Sequence, residues 1–309
     1  MVVMRIVMLG AGGVGGYFGA KLARAGEDVT FVARGAHLDA IRRDGLTVRS
    51  SLEGQWTVKP AAVDDLGGLP PADLVVLAVK AHDTEAVLQR VRPVVTPETA
   101  VLSLQNGVRS ADLIERVLGP GLALGGAAYI FAAIDAPGVV VHHFLGRIAF
   151  GELDGRRTPR VERVLAALSA AGIPTDVAPD IRRVLWEKYL LICAQAGMST
   201  LVRVPAGELR AHEPTWAMYR ALVEECAAVG RAEGVALAAD VVGAIMQAAQ
   251  ALDPAARSSM YHDLVNGRPL ELDALHGHLV RLGRRHGVPT PMASAVYAAL
   301  LPHARGSRA

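Results

Sequence analysis

The sequence predicts an α/β domain built on a mostly parallel sheet, followed by an all-α C-terminal domain. Three observations predict it. Arg5–Ala25, RIVMLGAGGVGGYFGAKLARA, reads as a buried strand, a glycine turn and a helix stopped by Gly26. From there to about Val177, short β runs alternate with helical patterns, as a sheet covered by helices on both faces requires. From Asp180 onward the pattern is helix after helix. A chain of 309 residues exceeds what one core usually carries, so the domains are expected at residues 1–178 and 179–309.

The elements follow in order. Arg5–Leu9 is the first strand, and the helix after the glycines runs to about Ala25. A second strand spans Asp28–Ala33, and Thr47–Val48 and Trp56–Pro60 read as short strands around a polar turn. Leu74–Lys80, LVVLAVK, is the near-continuous apolar run of a central parallel strand. A helix at Thr84–Val91 precedes a strand at Ala100–Leu104, which ends at Gln105-Asn106-Gly107. Strand-like runs at Ala127–Ala133, Val139–Phe144 and Ile148–Gly151, with turns at Pro137-Gly138 and Gly146, predict an antiparallel addition to the sheet. A helix at Pro159–Ala171 and a strand at Pro174–Val177 complete the domain. Asp180 then serves as the N-cap of a helix carrying Trp186, Lys188 and Leu191. Pro205, Pro214, Pro254, Pro269 and Pro289 separate later helices, and the tail from Pro302, with Arg305, Gly306 and Arg308, is expected to fray.

Composition excludes several function classes. Half the residues are hydrophobic and a fifth charged, as in ordinary globular proteins, and a net charge of +2 gives no reason to expect nucleic acid or a membrane surface as partner. No apolar run approaches the ~18 residues of a membrane span. Cys193 and Cys226 lie in apparent helices without C-x-x-C spacing, and no signal-peptide pattern precedes the first strand. A cytoplasmic, disulfide-free protein is expected. His142-His143 and His276-x-His278 lack partners at ligand spacing, so no metal is expected.

The chemistry starts at the glycines. Gly10, Gly12 and Gly15 form a G-x-G-x-x-G run between strand and helix, the position a Rossmann-type dinucleotide-binding domain requires. Gly10 makes the tight turn, Gly12 admits a pyrophosphate close to the backbone, and Gly15 lets helix and sheet approach. Ala11, Gly13 and Val14 complete a loop whose N–H groups point at the phosphates. An NAD-binding protein usually places an acid about twenty residues further on. This chain has Arg34, whose forked donors suit a 2′-phosphate, so NADP (NADPH) is favoured over NAD. Arg42 and Arg43 add charge there or form a solvated helix face.

Lys80 and Asn106 end parallel strands, at the edge where ligands of open α/β sheets collect. Both are candidates for the nicotinamide side, against the simpler readings of a solvated lysine and a turn asparagine before Gly107. Lys188 is the candidate proton donor. Its helical neighbours Val184, Leu185, Leu191 and Ile192 are apolar, and burial lowers a lysine's pKa toward working pH. The alternative is a stem along the core with its head in water. Ser259 could bind a carboxylate, and Glu271 could accept from a hydroxyl or hold a lysine. As isolated residues they read more often as an N-cap and a surface acid.

Taken together, these residues resemble the ketopantoate reductase (2-dehydropantoate 2-reductase) family. The resemblance rests on GAGGVG, Arg34, Lys80 after LAV, Gln105-Asn106-Gly107, Trp186-Glu187-Lys188, Pro205-x-Gly207-Glu208, and Ser258-Ser259-Met260 followed by Glu271, in order along nearly the whole chain. It implies an NADPH-dependent reductase of pantothenate synthesis, with a Rossmann domain, a helical domain and an active site in the cleft between them. Lys188 is then similar to the family's catalytic lysine, protonating the ketone oxygen as hydride arrives. Glu271 resembles the acid that meets the nascent hydroxyl and orients that lysine, and also lies among the cofactor contacts. Ser259 resembles the carboxylate ligand and Asn106 the residue bridging cofactor and substrate. Lys80 and Arg34 resemble cofactor ligands. A homodimer through the helical domain is implied by the resemblance alone.

One departure bears on the substrate. Family members carry asparagines four and eight residues after the lysine, where this chain has Ile192 and Ala196, with Gln195 the nearest amide and a candidate substrate ligand. That wall of the pocket is more apolar, and losing groups that hydrogen-bond a substrate weakens discrimination. The reading is reduction of a 2-oxo acid, ketopantoate by default. A different or bulkier 2-oxo acid is the alternative, and a non-catalytic NADP sensor is a third, since fold does not imply function.

Overall fold

The computed structural model describes residues 3–307, so Arg308 lies outside the described residues. The chain forms two compact units. Among the described residues, one comprises 3–105 and 110–181, and the other 106–109 and 182–307. The boundary expected at 178/179 thus falls at 181/182, and a four-residue segment after Gln105 goes with the helical unit.

In the first unit the strands are β1 (Arg5–Leu9), β2 (Asp28–Val32), β3 (Leu46–Ser50), β4 (Gly54–Val58), β5 (Ala61–Val63), β6 (Leu74–Leu77), β7 (Ala100–Ser103), β8 (Ala123–Ala136), β9 (Val139–Glu152) and β10 (Thr175–Val177). They form one sheet in the order β4-β3-β9-β8-β7-β6-β1-β2-β5, with β10 beside β9. Only β3–β4 and β8–β9 pair antiparallel. The helices are α1 (Gly13–Arg24), α2 (Gly35–Asp44), α3 (Thr84–Val91), α4 (Ser110–Leu118) and α5 (Pro159–Ala170).

The period-2 side-chain geometry of a strand explains why its central runs are apolar throughout. Ile6 and Met8 of β1, with Leu74 and Val76 of β6, pack into one cluster with Tyr17, Phe18, Ile41 and Val164. Val7 and Leu9, with Val75 and Leu77, point the other way and pack with Leu88, Val91, Ile114 and Val117. Helices α1, α2 and α5 therefore cover one face, and α3 and α4 the other.

Several expected boundaries shift. β6 stops at Leu77 rather than Lys80, because Lys80 is the N-cap of a 3₁₀ turn at Ala81–Asp83. β5 and α4 were not expected from the sequence. The runs expected as separate strands around Gly146 are one strand, since a bulge absorbs the interruption. Tyr129 pairs with Arg147 and Ile130 with Leu145, leaving Gly146 (φ 115°) unpaired.

A buried polar network pins this hairpin to β3. The ring of His142, fully buried, lies with Nδ1 2.9 Å from Ser50 Oγ and Nε2 3.1 Å from Leu145 O. Leu145 O can only accept, so Nε2 carries the proton and Ser50 donates to Nδ1. Ser50 Oγ in turn accepts from Leu52 N and Glu53 N, each at 3.1 Å. Beside it, Lys21 donates to Glu53 at 2.5 Å and to Gly172 O at 3.1 Å.

The second unit comprises α6 (Ile181–Val202), α7 (Ala206–Ala211), α8 (Glu213–Ala232), α9 (Val241–Gln250), α10 (Ser259–Val265), a π-helical turn at Asp273–Gly277, α11 (His278–His286) and α12 (Pro291–Leu300). Its core joins Leu190 and Cys193 of α6 to Leu222, Cys226, Leu272, Leu279 and Val296. The tail does not fray as expected up to Ser307. Ala304 O accepts from Leu270 N at 2.9 Å, and Ser307 N donates to Gly267 O at 3.1 Å.

Burial lowers the pKa of His142 below its usual value, so the unfolded chain binds this proton more readily than the native one. The associated stability is present above about pH 6.5 and is lost as pH falls, at up to about 1.4 kcal/mol per pH unit. Thermal unfolding of the full chain between pH 7.5 and 5 is expected to show this loss. His142→Gln should flatten the profile while lowering stability at pH 7.5.

Candidate active site

Three parallel strands, β6, β1 and β2, bring the candidate cofactor residues to one sheet edge. The glycine loop follows β1, Arg34 follows β2 and Lys80 follows β6. Gly10 sits at φ +103°, a conformation L residues rarely adopt, with Val79 N 3.0 Å from where a Cβ would stand. At Gly15 a Cβ would lie 2.0 Å from Gly10 O and 2.9 Å from Ala78 Cβ, so α1 can lie this close to the sheet only without one. Gly12 differs: it is the N-cap of α1, makes no side-chain cap bond, and a Cβ there would meet nothing within 4 Å. The open space and uncapped first turn of α1 fit a pyrophosphate. Gly13 and Val14 begin α1, Val14 packs on the core, and Ala11 is buried.

His37 on α2 holds this loop, and sequence reasoning missed it. Its ring lies 2.8 Å from Ala11 O through Nε2 and accepts from Gly138 N at 3.0 Å through Nδ1. A lone histidine three residues after Arg34 carries no sequence signal for that role. Arg34, the N-cap residue of α2, reaches Asp83 Oδ2 with Nη2 at 2.5 Å. Arg42 is tied to Asp64 at 3.0 Å and Arg43 to Asp44 at 2.7 Å.

Gln105 serves the scaffold. Its amide donates to Val79 O and Thr84 Oγ1, both at 2.8 Å, and accepts from Ser110 Oγ at 2.9 Å. It thereby ties the end of β7 to the turn that carries Lys80. Asn106 belongs to the helical unit, where Val108 joins the core and Arg109 Nη1 lies 3.6 Å from Asp273.

In that unit the structure brings Lys188 and Glu271 together. Burial pushes the Lys188 ammonium down to about 8, and the nearby Glu271 carboxylate opposes part of the fall. The fall follows from burial of the ammonium head, while the side chain as a whole is part-exposed. The contact forms because the segment after Glu271 is fastened to α6 on either side of a turn. Tyr189 donates to Leu275 O at 2.6 Å, and His276 Nε2 lies 3.0 Å from Cys193 O. The π-helical turn that follows Glu271 closes with Gly277 N on Leu272 O at 3.0 Å. Such turns frequently mark functional sites.

Residues 188, 192, 195 and 199 follow the i, i+4, i+7, i+11 spacing of one helix face. Along α6 that stripe runs Lys188, Ile192, Gln195, Ser199. Gln195 Nε2 is buried without a hydrogen-bond partner. At the far end Ser199 donates to Ser258 Oγ at 2.8 Å. Ser258, the N-cap of α10, accepts from Tyr261 N, and Ser259 beside it is exposed. Eleven residues at 1.5 Å each separate Lys188 from Ser199, roughly 16 Å along α6. Gln195 is therefore the polar group of the stripe nearest Lys188. Ala196 is buried beside it.

Comparison with known proteins converges on one family. Residues 6–155 match the model described as Ketopantoate reductase PanE/ApbA, and residues 180–304 match its C-terminal counterpart. A 2-dehydropantoate 2-reductase of Mesorhizobium japonicum is 34% identical over 318 residues, covering 96% of each chain. The crystal structure of a PanE/ApbA family ketopantoate reductase from Ralstonia eutropha JMP134 matches with a TM-score of 0.89 at 35% identity, over 97% of this chain and 98% of that one. The ternary structure of D-mandelate dehydrogenase with NADH and anilino(oxo)acetate matches at 0.88 and 25% identity, over 97% and 98%. No helix among the described residues is long and apolar enough to cross a membrane.

Two substitutions separate folding from function here. Lys188 binds its proton less well folded than unfolded, which costs stability fully below about pH 8 and not at all above about 10.5. Lys188→Met should therefore raise the urea-unfolding free energy at pH 7 by about 1–3 kcal/mol, a gain that shrinks at pH 10. Gly12→Ala should leave stability within about 0.5–1 kcal/mol yet abolish dinucleotide binding in a fluorescence titration.

Proposed function

The chain belongs to the ketopantoate reductase family, and from that premise we propose that it uses NADPH to reduce a 2-oxo acid at its C2 ketone. Ketopantoate, reduced to pantoate for pantothenate biosynthesis, is the default substrate. That the protein is an NAD(P)-dependent oxidoreductase follows from the family. The observation that carries the finer reading is the desolvated Lys188 beside Glu271.

Bound at the glycine loop, the dinucleotide would supply the hydride; the protein supplies the proton and the orientation. Lys188 Nζ gives a proton to the ketone oxygen as negative charge develops there. A pKa of about 8 makes it a stronger acid than an ordinary lysine while keeping it mostly protonated at neutral pH. Glu271 supports the charged form of Lys188 beforehand and accepts from the nascent hydroxyl afterwards. Asn106 bridges cofactor and substrate, Ser259 takes the carboxylate, and the unpartnered amide of Gln195 donates to a substrate oxygen. Lys80 and Arg34 contact the dinucleotide. The two cysteines, both buried free thiols, support a reducing, cytoplasmic location.

A second substrate reading has specific support. Ile192 stands between Lys188 and Gln195, and a structural neighbour is a D-mandelate dehydrogenase bound to anilino(oxo)acetate. A 2-oxo acid with a bulky apolar substituent suits that wall better than the hydroxyl-bearing chain of ketopantoate. A non-catalytic sensor is disfavoured, because nothing in cofactor sensing calls for a desolvated lysine opposed by a carboxylate.

For reduction, kcat/KM should be flat below about pH 8 and fall about tenfold per pH unit above it, since the acid must be protonated. Lys188→Ala should lower kcat by about 10²–10⁴ with nucleotide affinity kept; unchanged turnover would remove the assignment. Across a panel of ketopantoate and phenylglyoxylate, Ile192→Asn should shift the kcat/KM ratio about tenfold toward ketopantoate.

A further inference from the structure

At the sheet edge, Arg34 is held by a carboxylate of the same chain. Arg34 follows β2 with its side chain 83% exposed, and Asp83 follows β6 with 28% exposure; Nη2 and Oδ2 are 2.5 Å apart. The two strands flank β1, so the pair stands beside the loop that follows β1. Asp83 is the N-cap residue of α3 by position, yet its side chain makes no capping bond. Its backbone N–H, donating to Lys80 O at 2.9 Å, fixes the turn, and the carboxylate is turned to the guanidinium instead. The neighbouring cations are engaged elsewhere, Arg42 on Asp64 and Arg43 on Asp44.

This arrangement gives one pocket edge two opposed preferences. A guanidinium after the second strand of such a fold accommodates a 2′-phosphate, and a carboxylate there accepts from a ribose hydroxyl. Here the carboxylate occupies the guanidinium. We propose that Asp83 sets the choice between NADPH and NADH by competing with a 2′-phosphate for Arg34, so that discrimination in favour of NADPH is blunted. The proposal rests on the dinucleotide reading above.

The size of the effect follows from the chemistry. An exposed ion pair is weak, so Asp83 does not close the site to a phosphate. A phosphate carrying about −1.5 to −2 charges would nevertheless sit within about 5 Å of the carboxylate. Their repulsion in water corresponds to roughly a tenfold loss in affinity. A ribose hydroxyl meets no such repulsion.

The test is direct titration of NADPH and NADH binding, by nucleotide fluorescence at low ionic strength, to the full chain and its Asp83→Asn, Arg34→Gln and doubly substituted forms. Asp83→Asn is expected to tighten NADPH about tenfold and leave NADH within twofold, with the gain shrinking at 0.5 M salt. In the Arg34→Gln background the Asp83→Asn gain should vanish, because there is no guanidinium left to release. If both nucleotides bind and Asp83→Asn changes their affinity ratio by less than twofold, the role of Asp83 is overturned and the dinucleotide reading stands. If neither nucleotide binds the unsubstituted chain, both fall.

Discussion

The ammonium of Lys188 and the carboxylate of Glu271 are the constraint around which the helical unit is organised. A lysine head taken out of water destabilises the fold unless something opposes the cost, and here Glu271 opposes only part of it, leaving the group near pH 8. The remainder falls on the packing that fixes the two residues in place. Tyr189 and His276 bind backbone carbonyls across α6 and the π-helical turn. Leu190, Leu272 and Leu279 belong to the buried apolar cluster of this unit. The lowered pKa of the lysine is thus a property of the core that surrounds it.

The sheet unit obeys a different constraint, the approach of α1 to the strand ends. Gly10 and Gly15, with Gly13 and Gly19 along α1, serve that packing, and Gly12 at the helix N-cap leaves room that no protein atom fills. His37 then fixes the loop from the side. A loop fastened in this way, with the anion-favouring N-terminus of α1 beside it, is preorganised: less ordering would remain to be done when a dinucleotide binds.

The proposed selectivity rests on a few side chains set against this common framework. Along α6 the stripe from Lys188 to Ser199 keeps polar groups at its ends and at Gln195, with Ile192 interposed. At the sheet edge Arg34 is matched by Asp83. On the proposed reading both features leave the reaction class unchanged and act on which molecule is preferred, because each alters a hydrogen bond or a charge that the ligand would meet.

The sequence alone determined the local features. Strand and helix periodicity located nearly every element of the sheet unit, and the glycine spacing located its loop, because those patterns are set by residues close in the chain. Lys188 was singled out from its apolar neighbours one helical turn away. Local pattern was insufficient wherever an extra residue or a distant partner mattered. The bulge at Gly146 looked like a turn, β6 ended before Lys80, and the tail at Ala304 proved to be fastened to Leu270. The pairings of Lys188 with Glu271, Arg34 with Asp83 and His37 with the glycine loop join residues tens of positions apart. Only tertiary structure decided them, because burial and Coulomb interaction depend on distance in space, which chain spacing does not record.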